Sequence, residues 1–131
     1  MENQTILIID DDLTWHNLIG RFLAGAGYKV YAAATCADGV KQAALHKPDC
    51  IILDFHLTDG DAVTVCSALQ SNDATKKIPV IIFSSDPGAE LAAYAQCRAG
   101  DFLLKGEGGL EKITAAIKRI LRPAFSVQTD G

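Results

Sequence analysis

Asp10, Asp11, Asp54, Ser84 and Lys105 are the residues of this 131-residue chain whose types and placement can do chemistry together. Each stands just past a short apolar run: Thr5 to Ile9 before Asp10-Asp11-Asp12, Cys50 to Leu53 before Asp54, Pro79 to Phe83 before Ser84, and Phe102 to Leu104 before Lys105. Carboxylates brought together repel, so such a cluster needs a cation or raises the pKa of one member. Oxygen ligands with room for water favour a hard ion, Mg²⁺ before Ca²⁺. A lysine and a hydroxyl on the opposite side suit an anion. Together these groups describe a site for a phosphoryl group beside a magnesium ion, with a carboxylate nucleophile and a lysine that neutralises the transferred charge. Asp54, on a central strand and flanked by the others, is the nucleophile this chemistry selects.

The elements that must position these groups follow from the apolar pattern. A continuous apolar run without polar alternation reads as a strand buried on both faces, as in a parallel sheet. Ligands of open α/β sheets gather at the carboxyl ends of such strands. After Thr5 to Ile9, the residues Trp15, Leu18, Ile19, Phe22, Leu23 and Ala26 keep helical spacing, with a start at Asp12 to Thr14 and a stop at Gly27. Tyr28 to Ala33 reads as a strand. Thr35 caps a helix with Cys36, Val40, Ala43 and Ala44 inward, in which Gly39 costs about 1 kcal/mol against Ala. Pro48 ends it before a strand over Asp49 to Leu53. Past the loop at Phe55 to Gly60, Ala62, Val65, Cys66 and Leu69 mark another helix, and Ser71 to Lys77 a loop. Pro79 to Phe83 is a further buried strand. Pro87 to Ala99 reads as a loosely held helix with Leu91, Tyr94 and Ala95 inward, and Asp101 to Leu104 as the last strand. The final helix turns Leu110, Ile113, Ile117, Ile120 and Leu121 inward. Glu107 and Glu111 near its start and Lys118, Arg119 and Arg122 near its end suit the helix dipole. Five strands alternating with five helices predict one doubly wound α/β domain with a parallel sheet over residues 1–123; Pro123 stops the last helix, and a disordered tail is expected over 124–131.

Apolar residues are 49% of the chain and charged residues 21%, a balance suited to a soluble globular domain. The formal net charge of −4 argues against a broad nucleic-acid or anionic-membrane surface, which clustered Lys and Arg would have to supply. No apolar run approaches membrane-spanning length, and Met1-Glu2-Asn3-Gln4 lacks the features of a signal peptide, so a cytoplasmic location is expected. Cys36, Cys50, Cys66 and Cys97 show no metal-ligand spacing and read as reduced core residues. Gly25-x-Gly27 follows a helix where a dinucleotide fingerprint must follow a strand, and Gly106 to Gly109 is not followed by Gly-Lys-Ser/Thr. His16, His46 and the pair Lys76-Lys77 read as surface residues.

Ile6 to Asp11, Asp38-Gly39-Val40, Pro48 to Asp54, Asp59-Gly60, Pro79 to Ser84 and Ala99 to Lys105 occur in the order and spacing of one family. The chain resembles the receiver domains of two-component response regulators, the CheY-like proteins. That resemblance implies a flavodoxin-like fold with strand order 2-1-3-4-5. It implies a signalling receiver, an enzyme only toward its own phosphorylation, in which Asp54 takes a phosphoryl group from a phosphohistidine on a sensor histidine kinase or histidine phosphotransfer protein. Asp10, Asp11, Asp54 and the backbone carbonyl of His56 would hold Mg²⁺, and Ser84 and Lys105 would grip the phosphoryl oxygens. Ser84 and Phe102 would form the switch toward a downstream protein target or output domain, with no direct nucleic-acid or membrane binding. His56 stands as a modulating residue beside the site. The chain departs from the family in having Thr58 and Gly106 where proline is common, Ala62 for a frequent glycine, and Phe102 without a hydroxyl. Lys105-Gly106 is accordingly expected to be trans.

Two other classes compete with this reading. One is a constitutive interaction module that keeps the fold without the switch. The other is an enzyme acting on a diffusible phosphorylated substrate or a flavin. Aspartyl phosphatases place a second acid two residues past the nucleophile, and here that position is His56.

Overall fold

The computed structural model describes residues 4–106 and 108–121. The elements in order are β1 (Thr5–Ile9), α1 (Leu13–Gly25), β2 (Lys29–Ala33), α2 (Cys36–His46), β3 (Cys50–Leu53), α3 (Ala62–Gln70), β4 (Val80–Ser84), α4 (Glu90–Ala95), β5 (Asp101–Leu104) and α5 (Gly109–Ile120). The five strands form one parallel sheet in the order β2-β1-β3-β4-β5, as the resemblance implied. β3 and β4 are buried along their whole length, which is why β3 and the first four residues of β4 are unbroken apolar runs. The pairings Ile9↔Leu53 and Ser84↔Leu104 bring the strand ends that carry Asp10, Asp54, Ser84 and Lys105 to one edge of the sheet. An antiparallel ribbon of His56–Leu57 with Gly60–Asp61 stiffens the loop after β3.

Three helices begin on the side-chain caps expected of Asp and Thr. Asp12 accepts from the Thr14 N–H, Thr35 from Asp38 and Asp61 from Thr64, each contributing about 1 kcal/mol. Apolar side chains from alternate strand positions pack in two layers. Ile6, Ile8, Ile52, Ile81 and Phe83 meet Ile19 and Leu23 of α1 and Ile113, Ala116 and Ile117 of α5. Leu7, Ile9, Leu53 and Ile82 meet Cys36 and Ala43 of α2, the inner row of α3, and Ala89, Ala93 and Cys97 around α4.

Gly39, counted from sequence only as a helix cost, has a packing reason. A Cβ there would sit 2.6 Å from Ile9 Cδ1, so α2 approaches β1 more closely than alanine permits. The inner face of α4 differs from the expectation. Leu91 and Tyr94 are 79% and 44% exposed, Ala95 is exposed, and the buried row is Ala89, Ala93 and Cys97. Small residues spaced by four let this six-residue helix lie close to the sheet, and the large side chains turn outward. The Tyr94 hydroxyl instead accepts from the Phe102 N–H at 3.1 Å. Leu18 of α1 is likewise exposed, Ile19 and Leu23 supplying the contact. β2, β3 and β4 each begin one residue later than the pattern placed them; the Asp49 carboxylate accepts from Thr5 N–H and the Pro79 carbonyl from Ile51 N–H. His16 and His46 are half-buried, His46 stacked on Tyr31 with ring centroids 3.7 Å apart. Glu107, Arg122, Pro123 and the tail over 124–131 lie outside the described residues.

Candidate metal and anion site

Asp10 follows β1 and Asp54 follows β3, and both side chains are buried. Asp54 is fixed by its backbone, whose N–H donates to the Ile9 carbonyl at 2.9 Å, so the end of β3 is held to the end of β1. Asp10, Asp11 and Asp54 each present one carboxylate oxygen within 4.8 Å of the others. Lys105, just past β5, reaches into this group: its Nζ lies 2.8 Å from Asp10 Oδ2 and 3.2 Å from Asp54 Oδ2. The backbone that delivers it is tied to β4 by Lys105 N–H donating to the Ser84 carbonyl at 2.9 Å. Gly106, with φ +139°, turns the chain immediately after the lysine, and the Lys105-Gly106 peptide is trans, as expected.

The electrostatics follow from burial and crowding. Burial pushes the Asp54 carboxyl up to about 6 and the neighbouring Asp10 adds to this, while Lys105 pulls in the other direction. For Lys105, burial works against the ammonium, but its bonds to Asp10 and its proximity to Asp54 outweigh it and the pKa is raised. One ammonium compensates only part of the negative charge of three carboxylates. Hard oxygen donors, excess negative charge and the half-buried Asp11 at the rim fit a divalent cation with water in its shell.

The remaining predicted residues surround this centre. Ser84 is buried at the end of β4, and its Oγ accepts from the Asp86 N–H at 3.1 Å. Phe102 is half-buried against the layer that includes α4. The His56 ring is exposed and its Nε2 lies 2.7 Å from Asp86 Oδ2, joining the loop after β3 to the loop after β4. That bond and the Gly88 N–H hold the Asp86 carboxyl below the usual range.

Three participants escaped sequence reasoning. Asp86 is one, although a signal existed: it stands two residues past Ser84, as His56 stands two past Asp54. Asp59 is another; its carboxylate accepts from the Cys36 and Ala37 N–H groups at 2.7 and 3.2 Å, clamping the ribbon to the start of α2. The third is Trp15, whose ring lies 5.8 Å from Lys105 Nζ and packs edge-on against Phe83 at 5.2 Å. Read for helical spacing alone, Trp15 gave no hint of that contact.

The response regulator receiver domain family matches residues 6–118. The KDP operon transcriptional regulatory protein KdpE of Escherichia coli is 34% identical over 119 residues, covering 89% of this chain and 51% of that protein. The DNA-binding dual master transcriptional regulator RpaA of Synechocystis is 33% identical over 120 residues, covering 89% of this chain and 48% of its own length. The chain thus spans about half the length of these curated relatives. Among solved structures, a putative response regulator from Chloroflexus aurantiacus superposes with a TM-score of 0.84 at 30% identity, covering 93% of this chain and all of that one. No helix among the described residues is long and apolar enough to cross a membrane.

Proposed function

The chain belongs to the response regulator receiver domain family, and from that premise we propose that it is a phospho-accepting receiver whose nucleophile is Asp54. An Asp54 carboxylate oxygen attacks the phosphorus of a phosphohistidine on a histidine kinase or histidine phosphotransfer protein. The new O–P bond forms as the P–N bond breaks, and the imidazole leaves. Lys105 shifts its ammonium from the Asp54 carboxylate to an oxygen of the transferred group, retaining its hold on Asp10. Asp10, Asp11 and Asp54, with the His56 carbonyl, would hold Mg²⁺, which supplies neutralising charge beside the phosphoryl oxygens when bound. The Ser84 hydroxyl, now accepting from Asp86, turns to donate to a phosphoryl oxygen. Releasing Asp86 loosens the loop before α4, and Phe102 repacks against the altered layer. The surface that changes carries the exposed Leu91, Tyr94 and Leu104. A downstream protein or an output domain reads that surface; regulation of transcription, as in the relatives' printed names, belongs to such longer chains.

The observation that carries this reading is the bridge from Lys105 to both Asp10 and Asp54 in a buried pocket. With Mg²⁺ and acetyl phosphate, intact-mass measurement is expected to show one added phosphoryl group, mapped to Asp54 and absent from Asp54→Ala. Unmodified wild type, or an adduct that survives the substitution, overturns the proposal. The competing constitutive module is favoured by Phe102, which lacks the hydroxyl a hydrogen-bonded switch would use. Equal partner affinity for wild type, Asp54→Ala and a beryllofluoride-treated sample would select it.

A further inference from the structure

At the other end of the sheet, away from the carboxylates, two of the four cysteines line one cavity. Cys66 on the inner face of α3 and Cys97 just past α4 are 1% and 2% exposed and belong to one packed layer. Both line a single cavity of about 80 Å³, together with Thr75, Lys76, Ile78 and Arg98. The Gln70 side chain at the end of α3 donates to the Cys97 carbonyl at 3.5 Å, which ties the two segments together beside that cavity. We propose that Cys66 and Cys97 are a redox-sensitive dithiol that closes to a disulfide between α3 and the segment following α4.

The other two cysteines are arranged differently. Cys36 and Cys50 each have a backbone carbonyl as their sulfur's partner, and burial pushes them up to about 11 and about 12. Cys66 and Cys97 instead line one shared cavity. Their mutual interaction holds Cys97 below the ordinary thiol range and, with burial, Cys66 above it, which makes Cys97 the attacking sulfur of the pair. The pair therefore has an attacking sulfur and a second thiol lining the same cavity. The cavity is large enough for a peroxide molecule, since a water occupies about 30 Å³.

With hydrogen peroxide as oxidant, the Cys97 thiolate attacks one oxygen and the O–O bond breaks. This gives a sulfenic acid and a hydroxide, which takes up the proton that Cys97 released. The Cys66 sulfur then attacks the Cys97 sulfur, forming the S–S bond and breaking the S–O bond, and the hydroxyl leaves as water with the Cys66 proton. Two thiols lose two electrons and two protons while one peroxide becomes two waters. The sulfurs must close to ~2.05 Å. The short α4, seated on alanines, is the element that can move to allow it.

The test treats the full chain with hydrogen peroxide, counts thiols under denaturing conditions and maps linked peptides. Loss of two of the four thiols, with a peptide joining Cys66 to Cys97, is the expected result. Four intact thiols, a bond involving Cys36 or Cys50, or an intermolecular bond overturns the proposal. In Cys66→Ala, which lacks the resolving thiol, dimedone is expected to label Cys97; labelling elsewhere, or none, also overturns it.

Discussion

The two faces of the sheet are covered unequally. On one, α1 and the twelve-residue α5 bury Ile19, Leu23, Ile113 and Ile117 against isoleucines and Phe83, with Trp15 closing the top. On the other, α2, α3 and the six-residue α4 contribute mostly alanine, cysteine and single valine or leucine side chains. Large branched side chains interlock and resist sliding, whereas small ones give close approach with little area to hold it. The difference teaches where the molecule can move: the α1/α5 face is a frame, and α4 is the element seated most lightly upon the sheet.

The largest effect should come from opening the frame. Phe83→Ala is expected to cost about 3–5 kcal/mol in urea unfolding, because it empties a fully buried ring site beneath Trp15. A loss no greater than that of an exposed substitution would end the idea of an interlocked face. Metal comes next. The site takes its acids from β1 and β3, so Mg²⁺ at a hundredfold excess over its Kd should stabilise the fold by about 2.7 kcal/mol, an increment removed by chelation. Thermal unfolding with and without EDTA would reveal whether the site is instead indifferent to the ion.

Gly39→Ala probes a place where the lighter face is tight. Its Cβ would meet Ile9, and overpacking should cost about 1–3 kcal/mol despite alanine's better helix propensity. A more stable variant would show that α2 shifts freely. A pH effect should follow from Asp54. Its folded pKa of about 6 exceeds the ordinary 3.8, so the folded state keeps a proton that the unfolded chain has released. Stability from this group is fullest below the unfolded value and falls as pH rises through about 6. In metal-free protein, Asp54→Asn should therefore gain on wild type over that window; parallel pH curves would contradict it. The smallest change is expected for Leu91→Ala, within about 0.5 kcal/mol, since the side chain projects into solvent. A larger loss would mean that α4 is anchored through its outer face.

The same asymmetry decides what could be read from sequence. β1, β3 and β4 were legible because their doubly buried interiors are apolar, and the last apolar residue of each marks where the polar cluster begins. Asp10, Asp11 and Asp54 could be placed together from that, and Lys105 from the shorter apolar run before it. The orientation of α4 could not: when the buried row is alanine and cysteine, the large residues that usually mark an inner face are the ones left outside. The pairing of His56 with Asp86 depends on how two loops lean toward each other, and their matching offsets from Asp54 and Ser84 are only a faint signal of it. Gly39 looked like a local cost because its partner, Ile9, is thirty residues away.

The indole of Trp15 beside Lys105 has one more consequence. The chain contains a single tryptophan, and its ring lies 5.8 Å from the ammonium that the site's carboxylates hold. Indole emission responds to nearby charge, so any event that draws that ammonium toward a new anion alters the light the ring gives off. The protein thus carries a built-in optical gauge of its own site, readable in real time without a label.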